Sequence, residues 1–194
     1  MGKVNSLLKK YLEEQIGLEE NLFKVIEQQI AEIDDTEFAD AKRLLTETKQ
    51  VLERHYVPLN KALDQLEKDA DIAIRNAADN NGHNGHNGHN PDSSFIQNKK
   101  RRLISRLLRD NYSALNLVTM GNTLLYTTAL ALGCQEVASI ALKHLENLAP
   151  LVVKIGELLP DVATRELRSE SAEVDLAIAQ LALKNTQAVW RTLS

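Results

Sequence analysis

Three side chains able to hold a metal or move a proton fall on apolar helical seams: Glu19, His55 and His144. One carboxylate and two imidazoles form a donor set that suits a single zinc or iron ion with an open coordination position. The competing reading is a buried polar cluster in which Glu19 bonds to His55, or to Asn60, Asn116 or Thr119, because buried polar groups pair with one another. Neither histidine belongs to a Glu-x-x-His pair, since the residues three before them are Leu52 and Ala141. A two-iron site needs several anionic oxygens to offset its charge, and Glu19 alone does not supply them. A second set of ligands, His83, His86 and His89, recurs every third residue in an Asn/Gly/His repeat over 80–91. It offers a weak surface chelate for zinc, nickel or copper, which must first order the loop at about 1–2 kcal/mol per residue. No nucleophile constellation, phosphate loop or Gly-rich fingerprint accompanies these groups, so no residue is assigned as catalytic and the chain leans away from being an enzyme.

The elements that must position these groups are helices. Apolar residues recur with helical period throughout, and no stretch alternates as a half-buried strand would. The first helix spans about 3–33, with Leu8, Leu12, Leu22, Ile26, Ile30 and Ile33 on a seam that passes through Gln15 and Glu19. The second spans about 35–79, with Ala41, Leu44, Leu52, Leu59, Leu66, Ala70 and Ala73 on a seam that takes in Thr48 and His55, and Pro58 as a kink. The repeat over 80–91 has nothing to bury and reads as a flexible linker. A third helix starts at Asp92 or Ser94 and runs to Leu132, where Gly133 stops it. A fourth spans about 135–159, with Val137, Ala141, Leu148, Val152, Ile155 and Leu159 aligned with His144, and ends at Pro160-Asp161. A fifth, over 171–193, carries Val174, Ile178, Leu181 and Ala188, with Trp190 near its end. Four long helices with a loose connection between the second and third describe an all-α four-helix bundle with an additional C-terminal helix, within one domain over 1–194.

The chain has 194 residues, 43% hydrophobic and 26% charged, which is enough to bury a core without disulfides. A single cysteine, Cys134, excludes a disulfide framework and a cysteine-based zinc site, and the expected setting is the reducing cytoplasm. A net charge of −4 leaves no global basic field, so nucleic acid is not an expected partner. The run Lys99-Lys100-Arg101-Arg102, continued by Arg106 and Arg109, reads as a solvated first turn salt-bridged to neighbouring helices. From Asn111 to Gln135 the chain has twenty-five residues without a charge, long enough to span a bilayer. Its asparagines and threonines instead favour a helix buried inside the bundle, with no membrane span and with Leu124 as a core position.

Three short stretches carry a resemblance. Glu19-Glu20-Asn21-Leu22-Phe23-Lys24-Val25-Ile26 resembles the first-helix box of the YciE/YciF-type ferritin-like proteins, with Glu19 at the ligand position. The stretch from His55-Tyr56-Val57-Pro58 to Leu66-Glu67 is similar in spacing to that family's second-helix box. Leu130 to Gly133, with Ala138 and Leu142 to Leu145, resembles its turn between third and fourth helices. The resemblance covers about residues 5–160. It implies a ferritin-like bundle, a di-metal site and a link to stress response. Yet most of the implied ligands are missing: Pro58 and Asn60 replace carboxylates in the second helix. Leu115, Asn116, Val118 and Thr119 stand in the third, and Asn147 and Leu148 in the fourth.

The expected function is that of a non-catalytic ferritin-like bundle with no cofactor, a binding or structural module that self-associates or meets a protein partner. The alternative is a metal-binding protein or metal-dependent oxidoreductase, with one zinc or iron ion at Glu19, His55 and His144.

Overall fold

A computed structural model describes residues 2–33, 36–77, 103–171 and 173–191. Five helices account for most of them: α1 (Gly2–Glu32), α2 (Ala39–Ala77), α3 (Ile104–Ala131), α4 (Gln135–Glu170) and α5 (Ala177–Arg191). There is no strand among the described residues, so the all-α class stands.

Cross-helix pairs fix the directions. Lys9 meets Glu67 at 2.8 Å and Lys49 meets Glu27 at 2.6 Å, so α1 and α2 are antiparallel. Asn111 on α3 donates to Gln29 on α1 at 2.6 Å and Asn122 donates to Glu19 at 3.1 Å, which makes α1 and α3 antiparallel as well. Lys154 reaches Glu47 and Arg165 reaches Asp40, both at 2.6 Å, so α4 runs against α2. The packed neighbours are α1 on α2 and α3, and α4 on α2 and α3. Consequently α2 and α3 run the same way on a diagonal. The repeat over 80–91, with His83, His86 and His89, and the basic run Lys99 to Arg102 lie outside the described residues.

The core is interrupted by a polar layer. On one side Leu22, Ile26, Leu45, Leu52, Leu108, Leu115, Leu148 and Ile155 pack together; on the other, Leu8, Leu12, Leu59, Leu125, Ala129 and Ala141 do. Between them lie Gln15, Glu19, His55, Asn122 and His144, all buried.

Several expected helix ends move. The third helix begins at Ile104, because Leu103 has extended backbone (φ −65°, ψ 132°) and no capping side chain of its own. Its first amides are instead satisfied from α4: the Glu166 carboxylate accepts from Ile104 N and from Ser105 N, the latter at 3.2 Å. The fourth helix does not stop at Pro160 but continues to Glu170. One lost backbone donor is outweighed there by the fully buried Val162, by the Glu166 cap and by the Arg165 contacts with Asp40 and Asp161. The second helix starts at Ala39, four residues later than its charge pattern suggests. The fifth starts at Ala177, so Val174 precedes it, and Ile178 and Leu181 face outward while Ala179 is buried. It packs on α4, where Gln187 donates to Glu157 at 3.2 Å.

Gly133 ends α3 as expected. Its φ of 71° is the left-handed region, and the Cys134 amide reaches back to the Ala129 carbonyl at 2.9 Å. The tight turn that follows sets α4 antiparallel to α3. No helix among the described residues is long and apolar enough to cross a membrane. Leu124 is half exposed rather than in the core, which Leu125 enters instead. Arg106 and Arg109 are exposed, and Arg109 pairs with Asp110 of its own helix at 2.7 Å.

Candidate functional site: a carboxylate held by all four helices

Glu19 sits midway along α1, one helical turn after Gln15, and both point inward because their positions belong to the apolar seam. Each of the other three bundle helices sends one polar side chain to the same carboxylate. From α2, His55 Nδ1 lies 3.0 Å from Glu19 Oε2. From α3, Asn122 Nδ2 donates to Oε1 at 3.1 Å, and from α1 itself Gln15 Nε2 donates to Oε1 at 2.8 Å. From α4, His144 Nδ1 stands 3.5 Å from Oε1, outside hydrogen-bond geometry.

Further contacts hold these groups in place. Asn147, one turn after His144, donates its Nδ2 to His55 Nε2 at 3.2 Å. That leaves His55 Nδ1 to carry the ring proton and donate to Glu19. Gln15 and Asn122 both also donate to the Val118 carbonyl, at 3.3 and 3.2 Å. Gly121 makes room for this: a Cβ there would come within 2.2 Å of Gln15 Oε1. The two imidazoles stack with centroids 3.5 Å apart and planes within 5°.

The electrostatics favour an ionised carboxylate beside an uncharged His144 ring. Burial opposes ionisation of Glu19, but the His144 and His55 rings set against its oxygens outweigh it and lower the group from 4.5 to about 2. His144 is lowered from 6.5 chiefly by burial, with His55 adding to the effect and Glu19 opposing it. A buried carboxylate costs several kcal/mol to desolvate, and charge-assisted hydrogen bonds from three donors offset that.

The residues do not fit the two-metal centre that the ferritin-like resemblance implies. Leu52 and Ala141, one turn before the histidines, are buried and apolar, and α3 contributes an amide at Asn122, so among the described residues Glu19 is the sole carboxylate in the layer. A single ion fares better by proximity, because Glu19, His55 and His144 each place a ligand atom within 4.8 Å of the others. The stacking works against it. An ion midway between parallel rings 3.5 Å apart would lie about 1.7 Å out of both ring planes, where nitrogen lone pairs do not point at a metal about 2.1 Å away.

Of the partners the sequence suggests for Glu19, His55 is in place. Asn60 instead donates to the Tyr56 carbonyl and Asn116 to the Tyr112 carbonyl, while Thr119 donates to the Asn116 carbonyl. Asn122 and Gln15 take their role. Gln15 was visible on the Glu19 seam; nothing local marks Asn122. Beside the layer, a cleft of about 340 Å³ opens between α1 and α2, with Ile16, Phe23, Leu52, Val57 and Leu59 in its walls and Glu19 at its inner side. No protein-family model matches this chain, and neither a curated protein nor a solved structure matches it.

Proposed function

We propose that the chain is a non-catalytic, ferritin-like helical bundle that acts as a binding or structural module, with the Glu19 cluster as the polar pin that sets the register of its four helices. The observation that carries this reading is the occupancy of the carboxylate. One side chain from α2, one from α3 and one from α1 already donate to its two oxygens, with His144 of α4 packed against them. A four-helix bundle with a single long crossover is also the connectivity of ferritin-like folds. A polar layer of this kind rewards one alignment of the helices, because sliding any of them by a turn leaves a buried carboxylate without donors. The reading places the protein in the cytoplasm, consistent with its lone half-buried thiol, Cys134. A role in stress response comes from the resemblance alone.

One observation favours a second reading. His144 Nδ1 has no hydrogen bond, and the unpartnered oxygens Gln15 Oε1 and Asn122 Oδ1 are buried in the same layer. If the His144 ring turns out of the stack, Glu19, His55 and His144 become a mononuclear zinc or iron site, and a metal-dependent activity follows. Metal analysis of protein in which residues 80–91 are replaced by an equal length of Gly/Ser separates the two. The proposed function requires no stoichiometric metal. Near-stoichiometric iron, zinc or manganese that is lost on Glu19→Ala overturns it.

A further inference from the structure

The outer side of α3 carries a pattern that neither the core nor the polar layer uses. Ser113, Leu117, Met120, Leu124, Thr127 and Ala131 recur at intervals of four and three, and all six are exposed. The large ones are well out in solvent: Met120 is 65% exposed, Leu117 57% and Leu124 46%. This 4-3 spacing is the seam along which two helices pack against each other. It lies within the twenty-five residues from Asn111 to Gln135 that hold no charge, in a chain where 26% of residues are charged. An outward helix face of an ordinary bundle is charged; this one is free of charge from Ser113 to Ala131, with the exposed Arg106 and Arg109 only beyond its N-terminal end.

Its polar side chains are already satisfied. Thr127 Oγ1 donates to the Thr123 carbonyl at 2.8 Å, Thr123 Oγ1 to the Thr119 carbonyl at 3.0 Å, and Ser113 Oγ to the Arg109 carbonyl at 3.1 Å. Covering the face therefore strands no hydroxyl.

We propose that this face is a homodimer interface, on which a second copy of the chain lays its own 113–131 seam antiparallel across a two-fold axis. The occupant follows from charge. An uncharged seam is matched by another uncharged seam, and no other stretch of this chain as long as 111–135 is free of charge. A two-fold axis makes such a patch its own complement. An axis at the level of Asn122 sets Met120 of one copy against Leu124 of the other, sets Leu117 against Thr127, and leaves the small Ser113 and Ala131 at the ends. The antiparallel arrangement also opposes the two helix dipoles. The seam is about 27 Å long and buries about 1,000 Å² over the two copies, which is the lower limit for a specific interface. The dimer is accordingly weak and concentration-dependent. The proposal rests on the reading of the chain as an association module, and it fails separately from it, since the metal-free cluster is judged by metal content and not by mass.

Sedimentation analysis of the full chain over the micromolar range tests it. The mass is expected to rise from one chain to two with concentration. Met120→Lys and Leu124→Glu alter exposed positions, so each should keep its helicity while weakening association at least about tenfold. Mixing the two variants should restore association, because the antiparallel register brings the introduced opposite charges together. A chain that stays monomeric throughout overturns the proposal, as does a dimer that both substitutions leave unchanged. Failure of the mixture to associate overturns the antiparallel pairing.

Discussion

Glu19 gathers donors from His55, Asn122 and Gln15, and the consequence of losing any one is set by what it leaves behind. His55→Ala removes the donor to Oε2 and opens a cavity beside the His144 ring. It should cost about 1–3 kcal/mol, measured by urea unfolding, with or without chelator. The pH dependence has a definite sign. Burial holds His144 below its ordinary 6.5, so the unfolded chain takes up a proton that the fold refuses, and stability falls as pH drops below 6.5. Glu19, lowered to about 2, contributes fully above 4.5 and loses its contribution as pH falls from there toward 2. Melting temperatures should therefore be level above pH 6.5 and decline below it, with His144→Gln flattening the upper part of the decline and Glu19→Gln the lower. Glu19, His55 and His144 were legible in the sequence because each stands on an apolar seam. Asn122 was not: it lies about 120° around α3 from Asn116, and only packing against α1 and α4 decides which of those faces turns inward.

The helices themselves were legible and their ends were not. Periodicity reports which residues share a face, whereas an end is decided by contacts from elsewhere in the chain. Glu166 of α4 supplies the cap that Leu103 lacks, across a sequence separation that no local pattern spans. Glu166→Ala should fray the start of α3 and cost about 1–2 kcal/mol, read as faster amide exchange at Ile104 and Ser105 with a lower urea midpoint. Charge-free sequence also misleads about burial. In α3 the absence of charge over 111–135 suggested that Leu124 is core, yet that helix buries Leu115, Val118, Asn122, Leu125 and Ala129 and turns Leu117, Met120 and Leu124 outward. Leu125→Asp should consequently unfold the protein by placing an unpaired charge in a fully buried site, while Leu124→Asp leaves the far-ultraviolet circular dichroism unchanged.

At the scale of the whole molecule, the arrangement is a bundle whose core is split into two apolar halves by one layer of polar groups, with α5 set on the outside of α4. The sequence showed a loose connection between the second and third helices but not their direction; the parallel diagonal of α2 and α3 and the pairing of helices became definite only through contacts such as Lys9 with Glu67 and Lys154 with Glu47. A layer that pins the helices by itself behaves differently from one that awaits an ion, because a ligand bound to the folded state alone raises the melting temperature with the logarithm of its free concentration over its dissociation constant. The decisive measurement is the melting temperature of protein with residues 80–91 replaced by Gly/Ser, before and after removal of metal by a chelator, in the wild-type and Glu19→Ala backgrounds. A cluster that pins the helices by itself predicts no change on chelation in either background, with Glu19→Ala less stable in both conditions. A fall on chelation in the wild-type background that is absent in Glu19→Ala would contradict the account.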